Sequence, residues 1–206
     1  MSHTRALFIW GSGVLWREPS DALLDTDESA RVRLLYTPEY RALWESLTLW
    51  RLSGDDLFAA VREMGVRVPD VQEFSKRLNE RPAMIDTLLA LKSELRLHLI
   101  SDIPGEWLMR LPGYKNLSRC FAAENIVYLE KSRLIRLVPD VFYFLPGEAG
   151  LPAEECLLFD ADSKRTVKAI RHGFPAALIL DPMRLRRECL LRGLLPEEYR
   201  LHTRPV

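Results

Sequence analysis

Apolar and polar residues follow two rhythms along this chain. Short, nearly unbroken apolar runs occur at Ala6–Trp10 (ALFIW), 97–100 (LHLI), 156–159 (CLLF) and 176–180 (AALIL). Runs of that length, bounded by Gly, Ser or Asp, read as strands buried on both faces. Residues 120–129 are expected to hold one more short strand. Elsewhere apolar residues recur every three or four positions, as they do on one face of a helix. Tyr40, Leu43, Trp44 and Leu47 keep that spacing, as do Leu57, Ala60, Val61 and Met64. Val71, Phe74 and Leu78 mark a further helix, and Ile85, Leu88 and Leu89 another, begun at Pro82.

Local punctuation agrees with these elements. Ser53, three residues before Asp56, predicts a helix N-cap, and Gly65 a stop. Residues 139–145 read as helical. Ser163 is expected to cap a helix that runs to His172 and closes on Gly173, and residues 182–192 form a last helix closed by Gly193. Strands alternating with helices predict an α/β, Rossmann-like fold, a parallel sheet covered on both faces. Ligands of such sheets gather at the carboxyl ends of the strands. Here those ends carry residues 10–13, Ser101, residues 160–162 and Asp181. His98, inside a strand run, reads as a core histidine.

Composition narrows the function. A length of 206 residues suits one α/β domain, or a core with a small insertion. Lys plus Arg equals Asp plus Glu, 29 each, which argues against a nucleic-acid binder relying on bulk attraction to phosphate. Three cysteines, Cys120, Cys156 and Cys189, lie in apolar surroundings and read as thiols of a reducing compartment. No apolar stretch is long enough to span a bilayer, so a cytoplasmic protein with no membrane contact is expected.

The strand ends, taken in order, resemble those of the haloacid dehalogenase-like (HAD) hydrolases of the small helical-cap branch. ALFIWGSGVL resembles the first motif of that superfamily, an apolar strand followed by Asp-x-Asp-Gly and Val-Leu. LHLISDIPGEW resembles the second, a strand ending in Ser or Thr and followed by Asn or Asp. LVPDVF resembles the third, where Lys-Pro-Asp is usual, and LPAEECLLFDADSKRTVKAIRHGF the fourth, where adjacent acids end a strand. The resemblance implies a core of residues 1–16 and 81–206 and a helical cap over residues 17–80.

Against that pattern the catalytic positions are degenerate. The nucleophilic Asp, which also binds Mg²⁺, falls at Trp10. The acid/base Asp falls at Ser12, the cationic Lys at Val138, and the second acid of the last motif at Ala161. Ser101 and Asp160 match. Lys131 and Asp162 stand near enough to replace missing groups. An indole N–H is a donor only and can neither attack phosphorus nor bind a metal. A serine hydroxyl is too weak an acid for general acid catalysis near neutral pH. The expectation is therefore a catalytically inactive relative that binds a protein partner or a small anionic ligand. No catalytic residue, cofactor or metal is expected, and Asp160 is the only residual metal candidate. The alternative is a HAD-like phosphatase with a rearranged site, in which case Mg²⁺ would be needed.

Overall fold

A computed structural model describes residues 4–23, 37–48, 53–129, 141–196 and 199. Five strands form one parallel sheet: β1 (Ala6–Trp10), β2 (Arg96–Ser101), β3 (Ile126–Tyr128), β4 (Cys156–Asp160) and β5 (Ala176–Leu178), in the order β3-β2-β1-β4-β5. β1 lies at the centre, between β2 and β4, so every residue of ALFIW is buried. That is why its sequence is apolar at every position rather than at every second one.

The two faces of the sheet carry separate apolar clusters. Leu7, Ile9, Leu99, Leu157 and Phe159 point to one, and Ala6, Phe8, Trp10, Ile100 and Leu158 to the other. The first cluster continues into the helices between β1 and β2, through Tyr40, Leu57, Phe58, Val61, Phe74 and Leu78. Trp107, just beyond β2, stacks on Phe58 at 5.1 Å and meets Phe74 edge-on at 4.8 Å. These rings bind the intervening helices to the chain that leaves β2. His98 is buried and stacked on Phe8, and burial pushes its pKa down to about 4. Its Nε2 has no hydrogen-bond partner among the described residues.

The helices fall at Pro19–Leu23, Pro38–Thr48, Gly54–Glu63, Val71–Arg77, Pro82–Leu89, Gly105–Leu108, Tyr114–Cys120, Leu145–Ala149, Ser163–Arg171 and Pro182–Leu191. Ser53 and Asp56 form the reciprocal capping box at the third of these. The side chains of Trp44 and Leu47 lie outside the described residues.

Three local readings are corrected. β5 stops at Leu178 rather than residue 180, because its ladder partner β4 ends at Asp160, opposite Leu178. Residues 139–145 do not form one helix. A single 3₁₀ turn at Val141–Tyr143 precedes the helix Leu145–Ala149, and Pro146 can be accommodated only in a first turn, where its missing N–H costs nothing; residues 139 and 140 lie outside the described residues. Asp162, not Ser163, caps the helix after β4, accepting from the amides of Lys164 and Arg165.

Candidate functional site

The carboxyl ends of β1, β2 and β4 converge on one cluster. β1 ends at Trp10 and runs into a tight turn, Gly11–Val14, whose dihedrals break from helical at Ser12 (ψ 134°) and Gly13 (φ 80°). The turn closes on itself by a hydrogen bond of 2.7 Å from the Gly13 amide to the Trp16 carbonyl. Both glycines are required. A Cβ on Gly11 would overlap the Trp16 ring, and one on Gly13 would lie 2.6 Å from the Ala161 Cβ in a left-handed conformation. The sequence Gly-Ser-Gly thus turns the chain so that Trp10 and Ser12 face the same carboxylate and Trp16 comes back onto Ser12.

That carboxylate is Asp102, one residue past β2. Its Oδ2 accepts from Trp10 Nε1 at 2.9 Å, and its Oδ1 accepts from Ser12 Oγ at 2.6 Å. The Ser12 hydroxyl in turn accepts from Trp16 Nε1 at 3.0 Å. Ser12 is wholly buried and Trp10 is only 6% exposed. Desolvation raises the pKa of Asp102, although the donors Ser12 and Trp10 and the nearby Arg165 pull the other way. Ser101, also buried, turns its hydroxyl to the Ile103 carbonyl at 2.9 Å.

Across the site, Asp160 ends β4 with no solvent exposure. Its Oδ2 accepts from Arg165 Nε at 2.8 Å, and its Oδ1 accepts from Arg165 Nη2 at 2.9 Å and from the Asp162 amide at 2.9 Å. Arg165 reaches back from the first turn of the helix Ser163–Arg171, where Asp162 fixes the backbone and adds an ion pair at 3.7 Å. The guanidinium lies 4.3 Å from the centroid of the Trp10 ring. Burial works against its charge, but the hydrogen bonds and charge of Asp160, with Asp102 and Asp162 beside it, raise its pKa. Hydrogen bonds and ring contact therefore run without interruption from Asp160 through Arg165, Trp10 and Asp102 to Ser12 and Trp16.

Glu18 closes the cluster from the chain after the turn. Its Oε1 is the atom that a Cβ on Gly13 would meet at 3.0 Å. Desolvation, helped by the charges of Asp102, Asp160 and Asp21 and opposed by Arg165, raises its pKa from an ordinary 4.5 to about 7.

Of the residues singled out in the sequence, Trp10, Ser12, Ser101, Asp160, Ala161 and Asp162 come together here. Val138 and Lys131 lie outside the described residues. Sequence reasoning missed Arg165, Glu18 and Trp16, and quoted Asp102 only within a motif. A basic residue in the first helical turn after a strand-end acid was the one available signal, for Arg165.

Solved structures with this architecture extend over most of the chain. A predicted HAD-like family hydrolase from Porphyromonas gingivalis superposes with a TM-score of 0.63 at 19% identity, covering 98% of this chain and 99% of the other. A HAD family enzyme from Bacteroides thetaiotaomicron gives 0.65 at 17% identity, over 85% and 93%. The chain has the haloacid dehalogenase-like fold. L-2-haloacid dehalogenase from Xanthobacter autotrophicus also shares the HAD-like fold, with a TM-score of 0.58 at 17% identity over 95% and 86%. No protein-family model matches the chain, and no curated protein matches it in sequence. Among the described residues no helix of this HAD-like fold is long and apolar enough to cross a membrane.

Proposed function

We propose that this protein is a catalytically inactive member of the HAD-like group that works by binding a protein partner or a small anionic ligand, with the helices of residues 17–80 as its cap. The observation that carries this reading is the Trp10–Arg165–Asp160 contact. An indole stands where the fold family places its nucleophile, and a guanidinium of this same chain lies on its face, held by two hydrogen bonds to Asp160. The cationic partner that phosphoryl chemistry draws from metal and lysine is here an arginine already neutralised by an acid.

The donor set does not suit Mg²⁺. That ion asks for octahedral oxygen ligands and gives up water reluctantly. Asp160 is committed to Arg165 through both oxygens, Asp102 to Trp10 and Ser12 through both of its own, and position 161 is alanine. Among the described residues no group of three acids, histidines or cysteines could hold a metal ion. The balanced charge gives no reason to include nucleic acid or a membrane surface among the ligands.

A second reading, a HAD-like hydrolase with a rearranged site, draws on Glu18. A carboxyl brought to about 7 among the charges of Asp102, Arg165 and Asp160 has the poise of a general acid or base. One experiment separates the two. The purified chain is assayed with Mg²⁺ against a panel of small phosphoesters, with Glu18→Gln and Asp160→Asn alongside. Turnover at the uncatalysed background supports the binding reading; turnover lost in either variant establishes the hydrolase.

A further inference from the structure

We infer that this chain pairs with a second copy of itself through the groove between the helices Pro82–Leu89 and Pro182–Leu191. The groove is open and holds about 370 Å³, with Ala83, Asp86 and Ala90 on one wall and Met183 and Arg186 on the other. The two helices lie side by side and run the same way. Before their starts, Arg81 Nη1 donates to the Leu180 carbonyl at 3.2 Å, and past their ends the Lys92 amide donates to the Leu194 carbonyl at 3.1 Å. Residues equally far along the two helices therefore stand level across the groove. Ala83 and Met183 are such a pair, each directly after a starting proline, and Asp86 and Arg186 are another, one helical turn further on. Among the described residues neither Asp86 nor Arg186 has an ion-pair partner, whereas Arg184 and Arg192 on the same helix share Glu188. Met183 is 82% exposed, more than any other large apolar side chain among the described residues.

Each feature alone has a plain reading, because single apolar residues and solvated charges are ordinary on a surface. Together they make a surface complementary to itself, which is what a two-fold interface requires. Two copies can be set groove to groove about a two-fold axis that lies in the interface and along the helices. The Pro82–Leu89 helix of one copy then lies on the Pro182–Leu191 helix of the other, at the same level. Asp86 meets Arg186 of the partner subunit, and symmetry makes that contact twice. Met183 enters over the partner's Ala83, where a methyl side chain leaves room for it. An axis across the helices at that level would instead set Asp86 against the partner's Asp86, so the charges select the first arrangement. One free acid and one free cation, level on opposite walls, also favour a second copy over a partner of a single charge sign.

The test is sedimentation velocity of the full chain at concentrations from about 1 to 200 μM, where a monomer–dimer equilibrium with a Kd on the order of 10 μM is expected. Arg186→Glu and Asp86→Arg should each weaken the dimer about tenfold or more, since each sets like charges together at two symmetric contacts. The double variant Asp86→Arg/Arg186→Glu restores opposite charges and should recover most of the wild-type affinity. Met183→Lys should weaken the dimer as well. All three side chains are exposed, so the variants should melt like wild type in dilute solution, and a lost dimer then reports the interface. A wild-type chain that stays monomeric at every concentration would overturn the proposal and leave the groove, which Tyr199 also lines, to residues 200–206 of the same chain or to another ligand. A dimer that the single variants leave intact, or that the double variant fails to rescue, would overturn it too and place the contact on a different face. None of these results depends on whether the Trp10 cluster is catalytically inactive, which the turnover assay decides.

Discussion

The Arg165 guanidinium lies 4.3 Å from the centroid of the Trp10 ring while both its Nε and Nη2 donate to Asp160. The pair solves one electrostatic problem. A carboxylate with no solvent exposure needs a cation, and a planar cation needs a surface to lie on. Removing the cation should therefore be costly. Arg165→Met is expected to destabilise the fold by about 3 kcal/mol, because Asp160 is left buried and charged. In the double variant Asp160→Asn/Arg165→Met no charge is stranded, and at least half of that loss should return. Urea denaturation of the three proteins measures both numbers. Equal stability of the single and double variants would show that Asp160 does not depend on Arg165.

Trp10 has two separable contributions, its ring and its N–H. Trp10→Phe keeps an aromatic face for Arg165 but deprives Asp102 of one donor, and should cost about 1–2 kcal/mol. Trp10→Asp loses both and sets a third carboxylate beside Asp102 and Asp160. It should cost about 3 kcal/mol or more, a fall in Tm of roughly 6–12 °C for a chain of this length. Calorimetric melting curves rank the variants, and a Trp10→Asp protein as stable as wild type would contradict the packing described.

Glu18 predicts a pH dependence with a definite sign. Its folded pKa, about 7, lies above the 4.5 it has when solvated. The folded state thus holds the proton more tightly, and the stability this contributes is complete below pH 4.5 and lost as pH rises through 7. Glu18→Gln removes the titration. It should match wild type near pH 4.5 and exceed it at pH 8 by roughly 1–2 kcal/mol, discounted for the solvent that reaches the group. Denaturation midpoints measured from pH 4.5 to 8 test this, and parallel curves for the two proteins would contradict it.

On the proposed binding reading, an acid placed at position 10 alone should not give catalysis. Trp10→Asp alone leaves Ser12 without acid strength and Asp160 neutralised by Arg165. Phosphoester turnover with Mg²⁺ should remain at background for Trp10→Asp. Activity would at best require Ser12→Asp, Val138→Lys and Ala161→Asp in addition, with Arg165 removed as well. Turnover in the single variant would mean that the remaining groups are less committed than their hydrogen bonds indicate.

Much of the fold was legible because burial dictates composition. A central parallel strand must be apolar at every position, and ALFIW and CLLF are. Helix starts were legible where a side chain caps the backbone, as at Ser53. The reading went astray at Ser163 because Ser and Asp cap equally well and stood side by side; the geometry of the turn chose Asp162. It went astray at residue 180 because a strand's length is set by its neighbour, here β4, and not by its own apolar run. That Trp10, Ser101 and Asp160 stand at neighbouring strand ends was legible, but the circuit joining them was not. Nothing local to Trp10 says that Asp102, 92 residues away, holds its N–H, or that Arg165 lies on its ring. Those partners are set by strand order and by where the helix after β4 begins.

The double acceptance at Asp102 couples two positions of the turn. One carboxylate fastens Trp10 and Ser12 together, so neither position can be exchanged without loosening the hold on the other. An acid placed at position 10 or 12 would bring a third or fourth negative charge toward Asp102 and Asp160. The first such substitution therefore lowers stability. The clasp makes positions 10 and 12 one unit, so that a change at either is felt at both through a single buried carboxylate.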